Sequence, residues 1–129
     1  MYTVLVCDDS TFMRNIIKSV FYKLDLNIEV IGEASNGLEA IDKYKELKPD
    51  FVTMDIIMDK TNGLEALTKI IDFDKNAKII MISSMGQECL IKEAIDLGAI
   101  DFIIKPFNFH LMKKTFYNQI SNINRKEIW

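Results

Sequence analysis

Five short apolar runs punctuate the chain: Tyr2–Cys7, Ile28–Ala34, Phe51–Met54, Ala77–Ile82 and Ala99–Ile104. Between them the apolar positions fall three and four apart, the period of a helix with one buried face. Phe12, Ile16, Ile17, Val20, Phe21 and Leu24 share such a face between Thr11 and Asp25. Leu38, Ile41, Tyr44 and Leu47 mark a second helix, stopped before Pro49. Leu64, Leu67, Ile70 and Ile71 mark a third, after Gly63. A fourth runs from about Gln87 to Leu97 and is closed by Gly98, a good residue just beyond a helix end. The fifth carries Leu111, Met112, Phe116, Ile120 and Ile123. Strand and helix thus alternate five times, with no linker and no low-complexity stretch between them. Right-handed crossovers turn that alternation into an α/β fold with a doubly wound parallel sheet. The third and fourth runs are nearly continuous in apolar character, which suits central strands covered on both faces. Only Asn124–Trp129 is expected to fray.

Composition changes this picture little. The 129 residues suit one domain, 1–129, with a core that needs no staples, and no second domain or output domain is expected. A net charge of -3 gives no broad basic surface for nucleic acid. No apolar stretch approaches the roughly 18 residues of a membrane span. The amino terminus lacks the basic segment and cleavage site of a signal peptide, so a cytoplasmic protein is expected; a monomer is expected as well. Cys7 and Cys89 form no Cys-x-x-Cys pair, and both are expected to be buried free thiols.

The chemistry lies where the strands end. Asp8-Asp9 follows the first run, Asp55 the third, Ser83-Ser84 the fourth and Lys105 the fifth. In open α/β sheets ligands bind outside the carboxyl ends of the strands, so these side chains converge on one crevice. Carboxylates are hard oxygen ligands suited to Mg²⁺, with Asp9 and Asp55 as direct ligands and Asp8 acting directly or through water. Lys105 offers a compact positive charge to a phosphoryl oxygen, and the Ser83 hydroxyl can donate to another. Asp55 can act as nucleophile and form an aspartyl phosphate. Taken singly, each residue reads as ordinary loop or helix-end chemistry. Agreement among four strand ends is what gives the pattern its force.

Four segments carry a resemblance: Val4-Leu5-Val6-Cys7-Asp8-Asp9-Ser10, Asp50–Met58, Ile82-Ser83-Ser84-Met85-Gly86 and Asp101–Phe107. Together they resemble the response-regulator receiver domain over residues 2 to about 123. The likeness is strongest to stand-alone chemotaxis regulators of the CheY type. It implies a flavodoxin-like (βα)5 sheet of strand order 2-1-3-4-5 and phosphorylation of Asp55 by a histidine kinase of the CheA type. It also implies Mg²⁺ held by Asp8, Asp9, Asp55 and the backbone carbonyl of Ile57, with Ser83 and Lys105 on the phosphoryl group. Ser83 and Phe102 would form the switch that alters the surface of helix 4, strand 5 and helix 5 toward a motor component or adaptor. Such a protein catalyses only its own phosphorylation and dephosphorylation, and a phosphatase is a further partner. The alternative is a single-domain phosphorelay intermediate that passes phosphate to a histidine phosphotransfer protein. A haloacid-dehalogenase-like phosphatase would need Asp-x-Asp where this chain has Asp-Asp-Ser, and a flavin binder would need a phosphate loop at residues 8–15.

Several positions depart from that pattern. Asp59 stands where receivers usually carry proline, which frees the backbone there and places a carboxylate that is expected to face solvent. Ile57 and Met85 lie two residues past Asp55 and Ser83 and cannot orient an attacking water, so loss of phosphate is expected to be slow. His110 is expected to be a half-exposed structural residue. The fourth helix carries a wide apolar stripe, Cys89, Leu90, Ile91, Ala94, Ile95 and Leu97, which suits either a partner surface or full packing.

Overall fold

The computed structural model describes residues 1–128, with side chains through Arg125. Its elements run β1 (Tyr2–Cys7), α1 (Thr11–Lys23), β2 (Ile28–Ala34), α2 (Gly37–Leu47), β3 (Phe51–Met54), α3 (Gly63–Phe73), β4 (Ile79–Ser83), α4 (Glu88–Asp96), β5 (Asp101–Ile104) and α5 (Phe109–Ile128). All strand pairs are parallel, in the order β2-β1-β3-β4-β5. The flavodoxin-like fold and strand order expected from the sequence are therefore present.

Alternation along the strands divides the core in two. Val4, Val6, Phe51, Ile80, Ile82 and Ile103 face α1 and α5, where Ile17, Phe21, Met112 and Phe116 complete one cluster. Leu5, Cys7, Val52, Met54, Ile79 and Met81 face α2 to α4, against Ile41, Tyr44, Leu67 and Ile70. Every residue of β3 and β4 is buried, which explains why their sequences show no polar alternation. Phe116 meets Phe21 and Phe51 edge-on, at centroid distances of 4.9 and 5.4 Å. Burying each such ring contributes about 1.5–3 kcal/mol, so this trio anchors α5 to the sheet.

Capping side chains fix where the helices begin. Ser10, Asn36 and Asn62 accept the N–H of Met13, Glu39 and Glu65 at the starts of α1, α2 and α3. The N-cap of α4, Gln87, makes no such bond. Gly63 lets α3 begin against the end of β3, since a Cβ there would lie 1.9 Å from the Asp55 carbonyl oxygen. Gly98 ends α4 with φ +118°.

Three expectations are revised. β4 and β5 start at Ile79 and Asp101, two residues later than the apolar runs, because Ala77 and Ala99 give their N–H groups to Asp74 and Ala94 at helix ends. Cys89 is exposed on the outer side of α4, whereas Cys7 is buried as expected. Burial drives the Cys7 thiol far above its ordinary pKa, so it is inert. Helix α5 continues to Ile128, over most of the stretch expected to fray, and Trp129 lies outside the described residues. No described helix is long and apolar enough to cross a membrane.

Candidate phosphoryl and metal site

Each key residue stands one position beyond its strand, yet its backbone remains tied to the neighbouring strand. The N–H of Asp8 donates to the Ala34 carbonyl at 3.0 Å, that of Asp55 to Cys7 at 3.0 Å and that of Lys105 to Ser83 at 2.8 Å. The sheet ladder thereby runs one residue further and fixes all three side chains at one edge.

There they meet. Asp8, Asp9 and Asp55 each offer a carboxylate oxygen, and these oxygens lie within 4.8 Å of one another. The Lys105 ammonium donates to Asp8 Oδ2 at 2.7 Å and to Asp55 Oδ2 at 3.3 Å. Asp8 Oδ1 accepts the Ser10 N–H at 2.9 Å, and Asp55 Oδ1 the Ile56 N–H at 2.8 Å. Asp8 is 1% exposed and Asp55 is also buried, while Asp9 faces solvent. Burial raises the Asp55 carboxyl pKa above its ordinary value. Lys105 opposes that rise, and the Asp8 charge adds to it. One ammonium cannot balance three carboxylates, so the crevice has an excess of negative charge on hard oxygen donors. That donor set fits a small divalent cation such as Mg²⁺.

Not every residue singled out from the sequence joins this group. Ser83 is buried at the neighbouring strand end, where its Oγ accepts the Met85 N–H at 3.1 Å; it makes no hydrogen bond to the carboxylates. Ile57 is 59% exposed on the rim, and Met85 is half-buried. Phe102 is half-buried against the α2–α4 side of the core, with no place in the crevice itself. Asp59 is exposed and lies outside the carboxylate group; its backbone bridges to Asn36. His110 is exposed at the start of α5, with its ring edge-on to Phe109.

A separate cleft, about 730 Å³ and lined by Lys75, Lys78, Ile100, Asn122 and Arg125 among others, opens at the amino ends of β4 and β5. It contains none of the strand-end residues. Buried, mutually close ionisable groups locate chemistry better than volume does, and they occur at the carboxyl ends.

Arg14 is a participant that sequence reasoning passed over. Its guanidinium donates to the Asp8 carbonyl at 2.6 Å, to Glu33 Oε1 at 3.0 Å and to Thr11 Oγ1 at 3.1 Å. A signal was available: a cation in the first turn of a helix opposes the helix dipole, so it needs another partner.

A family model for the response regulator receiver domain matches residues 4–117. This chain is a response-regulator receiver domain. The receiver is 55% identical over 104 residues to the chemotaxis protein CheY of Thermotoga maritima, an alignment covering 81% of this chain and 85% of that protein. It superposes on the response regulator domain of Thermotoga maritima CheB with a TM-score of 0.83 and 39% identity, covering 95% of both chains. Against the CheX-CheY-BeF3-Mg complex of Borrelia burgdorferi the TM-score is 0.81 at 37% identity, covering 95% of this receiver and 88% of that chain. A CheY-like receiver, a signalling protein of a two-component system, is thus the established class.

Proposed function

We propose that this receiver is a phosphorylation-operated switch whose phosphoryl acceptor is Asp55. The carrying observation is a buried carboxylate placed against Lys105 and two further carboxylates at one sheet edge. The donor is a phosphohistidine of a CheA-type kinase. An Asp55 oxygen forms the new O–P bond, the N–P bond of the donor breaks, and the imidazole departs with the electron pair. Mg²⁺, when bound by Asp8, Asp9, Asp55 and the Ile57 carbonyl, supplies positive charge that offsets the incoming phosphoryl oxygens. Lys105 exchanges its carboxylate contacts for a phosphoryl oxygen.

The output follows from the neighbouring strand end. The Ser83 hydroxyl turns from Met85 toward the phosphoryl group, and Phe102 moves further into the space released. Ile95, Ile104 and Leu111, 43%, 43% and 41% exposed, give the α4–β5–α5 side an apolar surface that suits a motor component or adaptor. The CheX-CheY-BeF3-Mg complex of the Borrelia relative supports both the Mg²⁺ assignment and a protein partner such as a phosphatase. With apolar Ile57 and Met85 beside the acceptor, loss of phosphate is slow. The setting is cytoplasmic.

Transfer from a radiolabelled, histidine-phosphorylated kinase domain tests this reading. Label should move to the receiver with Mg²⁺ present, stop on chelation, and be absent from Asp55→Asn. Labelled Asp55→Asn would contradict it.

A further inference from the structure

The Asp8–Asp9 peptide is held from outside the acidic crevice. Asp8 uses every polar atom it has: its N–H bonds to Ala34, Oδ1 to Ser10, Oδ2 to Lys105, and its carbonyl oxygen to Arg14. That last bond matters most for Asp9. The Asp8 carbonyl belongs to the peptide unit that leads into Asp9, so fixing this oxygen fixes the plane from which the Asp9 Cα and carboxylate project. No side-chain hydrogen bond holds the exposed Asp9 carboxylate itself among the described residues. Its aim toward Asp8 and Asp55 therefore depends on the backbone.

Arg14 is in turn rigidly placed. Three guanidinium nitrogens engage three different acceptors, and the side chain is 13% exposed. Glu33, its ionic partner, also accepts from Lys18 at 2.9 Å, and the Lys43 ammonium bonds to the Glu33 carbonyl. Lys18 most strongly, and then Arg14, hold the Glu33 carboxyl below its ordinary pKa. Glu33 precedes Ala34, the residue that receives the Asp8 N–H. The end of β2 thus grips Asp8 directly through Ala34 and indirectly through Glu33 and Arg14.

We infer that Arg14 is a positioning residue for the metal: by holding the Asp8 carbonyl it presets the Asp9 carboxylate for a divalent cation. The inference rests on the proposed metal role of the three carboxylates. Charge and position make opposite predictions here. Removing a cation near an acidic crevice favours cation binding if charge alone matters. Removing a support that orients a ligand weakens binding, typically by about 10- to 100-fold.

Calorimetric titration of Mg²⁺ into the metal-free protein separates the two, comparing the parent with Arg14→Ala, Arg14→Lys and Lys18→Ala. Lys18→Ala removes the same charge from Glu33 without touching Asp8. Arg14→Ala should weaken Mg²⁺ binding about tenfold or more, and Lys18→Ala should leave it unchanged or tighter. Arg14→Lys keeps the charge but cannot span three acceptors, so it should weaken binding too, and it serves if Arg14→Ala does not fold. Hydrogen exchange on the metal-free variants should show faster exchange at the Ser10 amide, which bonds to Asp8 Oδ1, with the amides of β3 unchanged. Unchanged or tighter Mg²⁺ binding by both Arg14 variants, or equal weakening by Lys18→Ala, would overturn the inference. A parent that binds no Mg²⁺ would instead sink the metal reading, and the exchange data would still decide whether Arg14 pins the loop.

Discussion

The two sides of the proposed phosphoryl site are built to different standards. On the acceptor side, β1 and β3 lie in the middle of the sheet, all of β3 is buried, and Asp8 and Asp55 stay in the hydrogen-bond ladder one residue past the strands. On the responding side, α4 buries only Ala94, lacks a side-chain N-cap bond, and carries exposed Cys89 and Ile95. Ser83, between them, is buried; its Oγ accepts the Met85 N–H, which leaves the hydroxyl hydrogen available for the phosphoryl contact proposed above. The contrast teaches how a small domain can both hold a reactive carboxylate still and report what happens to it. In the proposed switch, the acceptor stands at the end of a fully buried strand and the reporting element is a helix that buries only Ala94.

The largest expected effect tests that packing difference with matched chemistry. Ile80→Ala, in β4, should lower stability to urea by about 2–5 kcal/mol. Ile95→Ala, in α4, should change it by less than about 0.5 kcal/mol. Similar losses at both positions would break the comparison.

A second test concerns the rim. Replacing Ile57 by Asn puts an amide within reach of water near the acceptor, and should shorten the phosphoryl lifetime roughly two- to tenfold by orienting that water. Chemical quench of the phosphorylated protein measures it, and an unchanged lifetime would remove Ile57 from the account of slow turnover.

The smallest effect is one of sign. A carboxyl whose pKa is raised in the folded chain binds its proton more tightly there than when unfolded. Its ionisation costs stability at pH above the folded pKa, and that cost fades as pH falls through it. Asp55 is such a group, so Asp55→Asn should stabilise the metal-free protein at neutral pH, with the gain shrinking toward acid. Glu33 has the opposite sign: its pKa is lowered, so its contribution is present above the unfolded value and lost as pH falls through the folded one. Thermal melts from neutral to acid pH would show both, and a constant Asp55→Asn difference across that range would contradict the electrostatic reading of the acceptor side.

Much of the acceptor side was legible in the sequence. β1, β2 and β3 begin and end where their apolar runs do; β3, buried throughout, leaves an unbroken apolar signature, whereas edge strand β2 keeps Glu29 and Glu33 among its apolar residues. The strand-end rule then placed Asp8, Asp9, Asp55 and Lys105 together without coordinates. The responding side was harder to read. Ala77 and Ala99 are apolar and buried, but their N–H groups close helix-end turns, a choice that composition does not record. Cys89 sits among apolar neighbours in sequence, yet the first turn of a lightly packed helix leaves it in solvent. Lys105 was read as a phosphate ligand. Its pairing with Asp8 and Asp55 depends on which side chains the crevice turns inward, information that resides in the fold. Arg14 left only the faint signal of a cation at the wrong end of a helix dipole.

The central claim is that Asp55 accepts the phosphoryl group with a divalent cation beside it. Incubation of the intact protein with Mg²⁺ and a small-molecule phosphodonor, followed by mass measurement, tests it most directly. The account predicts a mass gain of one phosphoryl group in the parent, lost on chelation of the metal and absent from Asp55→Asn. A gain of one phosphoryl group by Asp55→Asn would contradict it.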